Sequence, residues 1–410
     1  MPFDPVVNFE NTEKAFAYKS DRQLKKARFL FSAMQYNLLV KLGTVITPWA
    51  IKSGLPIKRL IKNTLFEQFV GGESLEKTDR VLNMLNQFNV DVILDYGIEG
   101  GEHSDEKYDK EVKSFIEVLR FSSSRKNIPF ISIKITGLGS SVLLEKLNVT
   151  IGKSDSQDLA SDLEIAIASL DQNDQNSWSK IVERTEAICC EAAALGVGVM
   201  IDAEESWIQD PIDYIAQLMM SKYNKEKVIV YNTIQLYRSD RLSFLRNSYA
   251  HAEAYSYLPG FKLVRGAYME KERKRAAQLG YPSPIQQDKE STDKDYNLAI
   301  ALAFEKIKIG SLIVASHNEE SSLLATQLAI KTGVVSKNNN LHFSQLYGMS
   351  DNLTFNLADA QFNVSKYLPF GPVDEVIPYL MRRAQENSSV SGQTGRELQL
   401  LNKECKRRGI

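Results

Sequence analysis

Two adjacent arginines, Arg382 and Arg383, lie in a predicted helix near the C-terminal end of the sequence. Two guanidinium groups side by side repel each other, so a pair held in a pocket implies a bound anion, and a carboxylate is the simplest planar match. The alternative is that Arg382 pairs with Glu386 one turn further on, as a solvated salt bridge of little value. Because successive helical residues point about 100° apart, both arginines can contact one ligand only if their helix lies across the mouth of a site.

The helix that carries this pair is predicted to begin at Pro372, because proline suits the first helical position. Asp374 and Glu375 follow in the first turn, where the positive end of the helix dipole favours carboxylates. One apolar stripe at helical spacing indicates an amphipathic helix: Val373, Val376, Ile377, Leu380 and Ala384.

Further candidate site residues follow short apolar runs that are rich in β-branched residues. The polar residues that end or follow such runs are Lys134, Asp202, Gln235, Arg265, Ser316, His317, Asn318 and Tyr367. In α/β barrels the active site forms where strands end and loops begin. Any one of these residues could be structural, but six strand ends with such residues around one ring indicate an active site.

The apolar runs themselves predict a parallel barrel. They cover residues 91–96, 130–135, 198–202, 228–231, 262–265, 312–316, 341–346 and 363–368. Helical patterns lie between most of them, and such alternation implies parallel strands with right-handed crossovers. Eight strand–helix units favour a distorted, TIM-like (β/α)8 barrel of the α/β class over an open sheet. The weakest link joins the seventh run to the eighth, where only residues 353–360 can form a helix.

Three regions follow from this pattern. Residues 1–88 are predicted to form an N-terminal helical arm, 89–390 the barrel with the ligand sites, and 391–410 a polar C-terminal tail. The final helix, with the arginine pair, is expected to lie across the barrel mouth. A basic amphipathic stretch of the arm, 57–66, either touches a membrane or packs on the main domain. We favour packing, because such patterns mostly face protein cores.

The composition argues against several classes of function. A formal net charge of −1 gives no global field for nucleic acid. Three cysteines cannot all pair, which favours reduced thiols and a cytosolic location. The four histidines are scattered and no Cys/His spacing fits zinc, so no metal site is predicted. The first residues lack targeting features, and polar residues interrupt the most apolar window, 29–51, so no membrane span is expected.

Two motifs around the arginine helix resemble a known family. Tyr-Leu-Pro-Phe-Gly-Pro-Val at 367–373 is followed by Tyr-Leu-Met-Arg-Arg-Ala-Gln-Glu-Asn at 379–387. Together they resemble the C-terminal signature of the proline dehydrogenases, flavin-dependent enzymes that oxidise L-proline, here of the single-function type. The resemblance runs from residue 90 to residue 387, with a fainter match in the helical arm.

The resemblance implies a proline site. Lys134 matches the family's substrate-contacting lysine, and Arg382 and Arg383 match its carboxylate clamp. Leu346 and Tyr367 match residues that line the pocket for the proline ring.

The resemblance also implies a site for FAD. Asp202 matches the family's active-site aspartate. Lys262 stands near the reactive edge of the flavin, where many bacterial relatives carry arginine, so the cation is kept but a bidentate contact is lost. The positions that match flavin contacts are Ala203, Gln235, Arg265, Gly266, Ala267, Ser316, His317 and Asn318.

The activity implied by the resemblance is oxidation of L-proline to 1-pyrroline-5-carboxylate by hydride transfer to FAD, the first step of proline degradation to glutamate. A quinone is the implied electron acceptor, and pyrroline-5-carboxylate dehydrogenase is a candidate partner. We expect a cytoplasmic enzyme that makes at most peripheral contact with the inner face of the cell membrane.

Three other functions remain open from the sequence. A hydroxyproline dehydrogenase would share the fold, although an aromatic wall at Tyr367 leaves little room for a ring hydroxyl. A Schiff-base aldolase would use Lys134, since a lysine at the end of a barrel strand suits that chemistry. A non-catalytic partner of a proline-catabolic complex would keep the pocket only to sense ligand.

Overall fold

Eight parallel strands close into a barrel in the order β1 to β8. The computed structural model describes residues 7–36, 58–96, 104–152, 159–334, 340–389 and 393–410. The strands are β1 (Asp91–Tyr96), β2 (Phe130–Ile133), β3 (Gly198–Ile201), β4 (Val230–Gln235), β5 (Gly260–Val264), β6 (Ser311–Ala315), β7 (Leu341–Leu346) and β8 (Val364–Phe370). Each of the eight apolar runs therefore contributes a strand, which confirms the TIM-like α/β barrel.

Helices alternate with the strands, and further helices precede β1 and follow β8. They are α1 (Thr12–Ala15), α2 (Asp21–Met34), α3 (Lys58–Ile61), α4 (Glu67–Phe69), α5 (Asp79–Asn86), α6 (Asp105–Ser123), α7 (Ser141–Ile151), α8 (Leu159–Ala168), α9 (Gln172–Leu195), α10 (Ser206–Tyr223), α11 (Arg241–Ala254), α12 (Met269–Leu279), α13 (Lys289–Glu305), α14 (Glu319–Thr332), α15 (Asp351–Asp359), α16 (Val373–Ser389) and α17 (Gln393–Arg408). A π-helical turn, Lys62–Phe66, follows α3. The connection from β7 to β8, the weakest in the sequence, is the helix α15.

Strand β4 continues beyond the predicted run 228–231 as far as Gln235. Two polar side chains of this strand find hydrogen-bond partners, one on each face. Asn232 donates to Asp213 Oδ1 of α10 at 3.0 Å, on the outer face. The Tyr231 hydroxyl donates to Ser311 Oγ of β6 at 3.1 Å, on the inner face. Because strand residues alternate between faces, Thr233 and Gln235 also point inward.

The residues from Gly101 to His342 form one compact unit, here called the central unit. It contains β2 to β6 and the helices α6 to α14. Helix α10 packs on β4 through buried residues at helical spacing, with Ile212, Ile215, Ala216 and Met219 among them.

A second compact unit, the terminal unit, combines Met1–Gly100 with Phe343–Ile410. Its apolar core includes Leu24 and Phe31 of α2, Leu380 of α16 and Leu400 of α17. Of the predicted amphipathic stretch 57–66, Ile61 and Phe66 are buried in this core, whereas Leu60 is exposed and Ile57 lies outside the described residues. Among the helices that the structure describes, none combines the length and apolar character needed to cross a membrane.

The C-terminal segment 391–410 is not the polar tail that the sequence analysis predicted. It forms helix α17, which packs against α2, so α16 is not the final helix either. The buried stripe of α17 follows a regular helical spacing: Glu397, Leu400, Leu401, Glu404 and Cys405. Two of these five positions are glutamates, and this concealed the amphipathic pattern.

Candidate active site

Two lysines of the central unit converge on one aspartate. Lys134 follows β2, Asp202 follows β3 and Lys262 lies within β5. The Lys262 ammonium donates to Asp202 Oδ1, and Lys134 Nζ lies 4.0 Å from Asp202 Oδ2. We call these three residues the Asp202 cluster. The structure thus brings together three candidates that are far apart in the sequence.

The Asp202 cluster suits recognition of an anion. The Lys262 side chain is only 5% exposed, whereas that of Lys134 is 22% exposed. A lysine ammonium is a compact positive charge with three N–H donors, which suits it to contact a carboxylate. Lys134, the more exposed of the two, is therefore the better placed to contact a ligand carboxylate.

A buried carboxyl group beside this cluster was missed by the sequence analysis. Glu204 accepts hydrogen bonds from the Thr136 backbone N–H at 3.1 Å and from the Thr136 hydroxyl. Burial raises the pKa of Glu204 to about 7, against the opposing effects of these hydrogen bonds and of the Lys134 charge. The signal in the sequence was the run Asp202-Ala203-Glu204, with a second carboxylate two residues after the first. Ala203, between them, is buried.

Two inward-facing side chains of β4 have acceptors that suit a bound group. Gln235 Nε2 donates to the backbone carbonyl of Glu204 at 3.1 Å. Gln235 Oε1 and Thr233 Oγ1 are buried and find no hydrogen-bond partner among the described residues. Buried polar atoms are rarely left unpaired in folded proteins. A ligand with N–H or O–H groups would satisfy them.

Arg265 is the centre of a second polar group in the central unit. Its Nε donates to Asp293 Oδ1 at 2.7 Å, its Nη1 to Ser316 Oγ at 2.7 Å and its Nη2 to Ser321 Oγ at 3.0 Å. The guanidinium carbon lies 4.3 Å from the centroid of the Tyr296 ring. Arg265 and Ser316 were both candidates and lie together. Asp293, Ser321 and Tyr296 were not predicted, because they lie within helical patterns that give no sign of a site.

The first turn of α14 lies beside this arginine group. Asn318 caps the helix, since its side chain accepts from the Ser321 backbone N–H at 2.8 Å. The Asn318 backbone N–H donates to Ser316 Oγ at 3.0 Å, and the half-buried His317 lies between the two in sequence. A helix N-terminus beside an arginine suits a phosphate group.

The backbone after β5 permits close approach of a ligand. Gly266 has φ +136°, and a Cβ atom there would lie 2.4 Å from the Tyr237 ring. Only glycine fits this position without a shift of the neighbouring tyrosine. Gly266 and Ala267 are both exposed, so their backbone groups are accessible.

The pocket-wall candidates of the terminal unit are neighbours on adjacent strands. Leu346 of β7 and Tyr367 of β8 are register partners, and both are half-buried. The residue before Leu346, Gln345, accepts from the Thr354 hydroxyl of α15 at 2.8 Å. Because Gln345 faces the helix, Leu346 faces the inner side of its strand.

The arginine pair lies on α16, which begins directly after Pro372, and the five residues of the predicted apolar stripe are all buried. Arg383 is 6% exposed, and its guanidinium carbon lies 5.2 Å from the centroid of the Tyr379 ring. Arg382 is half-buried. The side chain of Glu386 lies outside the described residues. The burial of Arg383 excludes a fully solvated position for that residue, whereas the alternative pairing of Arg382 with Glu386 stays untested.

Comparison with known proteins identifies the family. A family model described as proline dehydrogenase matches residues 79–396. The chain belongs to the proline dehydrogenase family. The resemblance noted in the sequence is thereby confirmed, and the enzyme is an oxidoreductase of proline catabolism.

Individual relatives of this proline dehydrogenase family member cover nearly the whole chain. Proline dehydrogenase 1, mitochondrial, of Dictyostelium discoideum is 32% identical over 441 residues, which cover 99% of this chain and 77% of the relative. The hydroxyproline dehydrogenase of Xenopus laevis is 32% identical over 96% of this chain and 88% of the relative.

Solved structures share the fold at lower identity. Proline utilization A from Bdellovibrio bacteriovorus, inactivated by N-propargylglycine, superposes with a TM-score of 0.70 at 19% identity over 92% of this chain. The present chain spans only 38% of that protein's chain. At this identity the likeness concerns the fold alone.

Proposed function

We propose that this enzyme oxidises L-proline to 1-pyrroline-5-carboxylate, with FAD as hydride acceptor and a quinone as the final electron acceptor. Family membership supports the substrate and the reaction class. The observation that carries the proposed location of the reaction is the convergence of Lys134, after β2, and Lys262, within β5, on Asp202, after β3.

The residues of the central unit fit FAD. Buried oxygens of Gln235 and Thr233 suit the hydrogen-bond donors of the cofactor, and Arg265 beside the start of α14 suits its pyrophosphate. The accessible backbone of Gly266 admits close contact. When bound, FAD accepts a hydride from the substrate. The residues proposed to hold it are Ala203, Gln235, Arg265, Gly266, Ala267, Ser316, His317 and Asn318.

We assign the substrate carboxylate to Lys134, Arg382 and Arg383, and the proline ring to Leu346 and Tyr367. A planar guanidinium group can donate two parallel hydrogen bonds to a carboxylate, and the Lys134 ammonium adds a third charged group. Packing of the ring between an aliphatic and an aromatic side chain fixes which carbon faces the cofactor, and such orientation supplies much of the rate enhancement.

The site's positive charge also favours the reactive form of the substrate. The hydride leaves from C5 of proline only if the amine nitrogen has lost its proton, because its lone pair forms the new C=N bond. Nearby cations lower the pKa of a bound ammonium group. Asp202 offsets part of this charge, and its contact with Lys262 holds that ammonium in place near the reacting atoms.

The downstream partners and the location of the enzyme are also proposals. Electrons from proline would pass to a membrane quinone, so we propose a cytoplasmic enzyme with peripheral membrane contact. The product carries a reactive imine, which makes a pyrroline-5-carboxylate dehydrogenase the expected partner.

The test is a spectrum and a turnover assay of the purified chain. We expect a yellow protein whose heat-released cofactor chromatographs as FAD, and proline-dependent reduction of a soluble quinone with formation of pyrroline-5-carboxylate. Recovery of FMN or of no flavin would overturn the cofactor assignment. Borohydride trapping of a substrate carbon on Lys134 would favour an aldolase, and FAD without turnover would favour a ligand sensor.

A second candidate substrate is trans-4-hydroxyproline. The observation in its favour is the 32% identity to a hydroxyproline dehydrogenase over 96% of the chain. The tyrosine at position 367 argues for proline, because its ring would occupy the space that a hydroxyl group on the substrate needs. Competition between the two substrates in one assay decides the question.

A further inference from the structure

A second cluster of charges lies buried in the terminal unit. Lys366 Nζ of β8 lies 2.9 Å from Asp351 Oδ1, and Lys19 Nζ lies 3.7 Å from Asp351 Oδ2. The Tyr18 hydroxyl donates to Asp351 Oδ2 at 2.6 Å. The side chains of Lys366 and Asp351 are 1% and 4% exposed. We call Lys19, Asp351 and Lys366 the Asp351 cluster.

Lys366 connects this cluster to the backbone that carries the pocket-wall residues. Its ammonium donates to the Met349 carbonyl at 2.5 Å and lies 3.5 Å from the Leu346 carbonyl. Lys366 also directly precedes Tyr367, the register partner of Leu346. One buried ammonium group therefore fixes the end of β7 to the middle of β8.

Glu397 of α17 holds the other end of the same turn. Its Oε1 accepts from the Ser350 backbone N–H, immediately before the first residue of α15. Ser350 has φ 50° and ψ 45°, a left-handed conformation that is uncommon for serine and needs support from its surroundings. A carboxyl group at the N-terminus of a helix is also favoured by the helix dipole.

The N-terminal arm completes the support of this turn. Gln68 Nε2 donates to the Gly348 carbonyl at 2.7 Å. Gly348 itself has φ +80°, and a Cβ atom there would lie 2.1 Å from the Gln68 carbonyl oxygen. The turn from Leu346 to Asp351 is thus held by contacts from the arm, from β8 and from α17.

We propose that Glu397 is a positioning residue for proline oxidation, which sets the β7–α15 turn and through it the placement of Leu346 and Tyr367 against the substrate ring. The inference rests on the proposed function, in which these two residues line the proline pocket. It assigns Glu397 no contact with substrate or cofactor. A disturbed turn should therefore weaken substrate binding and ring selection more than it slows the chemical step.

Glu397 has a natural matched control on the same helix. Glu404 is also buried on α17, but its carboxylate pairs with Arg407 and Arg408. Within the described part of the chain, none of its hydrogen bonds reaches the β7–α15 turn. Replacement of either glutamate by alanine removes a buried carboxyl group of the same size. Both variants should lose thermal stability, so a fall in Tm alone says nothing about positioning.

The experiment compares steady-state kinetics of the flavin-loaded full chain. We expect Glu397→Ala to raise KM for proline about tenfold with kcat within about threefold, and to reduce the preference for proline over trans-4-hydroxyproline. Glu404→Ala should leave KM and that preference at their wild-type values. Glu397→Gln keeps an acceptor for the Ser350 N–H and should restore both. We expect glutamine to restore these values because burial raises the pKa of Glu397 to about 7. The site therefore accepts an uncharged side chain at little cost.

Several outcomes would overturn the proposal. A folded Glu397→Ala enzyme with wild-type KM and substrate preference contradicts it, and so does an equal change in Glu404→Ala, which would indicate a general loss of stability. If Glu397→Ala does not fold, Glu397→Asp replaces it, since a side chain one methylene shorter withdraws the acceptor from Ser350; wild-type kinetics there also contradict the proposal. A wild-type chain that does not oxidise proline would instead refute the proposed function.

Discussion

Each of the two compact units places a pair of lysines around one aspartate, and the two clusters differ in how far the protein shields them from solvent. In the Asp202 cluster the Lys134 side chain is 22% exposed and the aspartate 13%. In the Asp351 cluster the exposed fractions are 9% for Lys19, 4% for the aspartate and 1% for Lys366. Tyr18 and the Met349 carbonyl complete the second cluster from within the chain.

This difference shows that residue type does not distinguish a site from a structural ion cluster. Both clusters consist of two ammonium groups and a carboxylate, and each includes one lysine from within a barrel strand. Access is what separates them, because a ligand can reach Lys134 but cannot reach Lys366. We therefore expect substitutions in the Asp202 cluster to affect activity, and those in the Asp351 cluster to affect stability.

The largest predicted effect tests this division directly. Asp351→Asn should lower the free energy of unfolding by about 3–5 kcal/mol, since it leaves two buried ammonium groups without their carboxylate. Asp202→Asn should cost less stability but lower kcat/KM for proline at least about a hundredfold. Denaturant unfolding and steady-state kinetics on both variants provide the measurement. The division fails if Asp202→Asn acts mainly on stability while its activity is retained.

The arginine pair extends the comparison to α16. Arg382→Met and Arg383→Met should each lower kcat/KM for proline. The loss should correspond to about 2–5 kcal/mol of transition-state stabilisation, as expected when a desolvated charge pair with the substrate is broken. Flavin content should be largely retained in the Arg382 variant. Arg407→Met on α17, where the side chain is 43% exposed, serves as the control and should leave turnover unchanged. Normal turnover in both test variants would show that the pair does not bind the substrate carboxylate.

Each cluster has a glutamate beside it whose pKa is raised, Glu204 in one case and Glu397 in the other. The two clusters can therefore also be compared by how protein stability changes with pH. Burial raises the pKa of Glu204 from 4.5 to about 7, so the folded state binds its proton more tightly than the unfolded state. The resulting stability is fully present below pH 4.5 and is lost as pH rises through 7. The contribution is at most about 3 kcal/mol. Glu204→Gln should make the free energy of unfolding less dependent on pH between about 5 and 8.

The stability that Glu397 contributes is also lost as pH rises, since burial raises its pKa to about 7 as well. Each single Glu→Gln variant should therefore lose less stability than the wild-type protein as pH rises from about 5 to 8, and the double variant should lose the least. Unfolding curves at several pH values measure this. A steeper dependence in either single variant would contradict the assignment.

The smallest predicted effect concerns the pocket wall next to the Asp351 cluster. An unpaired hydroxyl group buried against Tyr367 costs about 1–3 kcal/mol. Proline should therefore be preferred over trans-4-hydroxyproline by roughly tenfold to a few hundredfold in kcat/KM. Tyr367→Ser should narrow this gap, chiefly by weakening proline. Equal oxidation of both substrates by the unmodified enzyme would show that Tyr367 does not line the ring.

The barrel could be predicted from the sequence because its strands are short apolar runs with polar residues at their ends. Lys134 and Asp202 were recognisable for that reason. Lys262 was not, because it lies inside a strand and only the family resemblance singled it out. Its contact with Asp202 depends on the closeness of β3 and β5, which linear spacing does not encode.

The features that sequence analysis missed are mostly buried charges. Helix α17 was taken for a polar tail because Glu397 and Glu404 occupy its buried face. Lys366 looked like an ordinary polar residue of a strand, although it is among the most buried side chains of the terminal unit. Burying a charge is normally costly, so a pattern based on hydrophobicity cannot anticipate such positions.

The packing of α17 against α2 has a consequence for the order in which the protein folds during synthesis. The Arg408 guanidinium donates to the Phe16 carbonyl across a sequence separation of 392 residues. Contacts between residues so far apart in the sequence form late, because a long loop must close before they contribute to stability. The central unit is one continuous segment of the chain, whereas α2 must wait until α17 has been synthesised. During that interval the apolar face of α2 lacks its partner helix, and such exposed apolar surface is prone to aggregation.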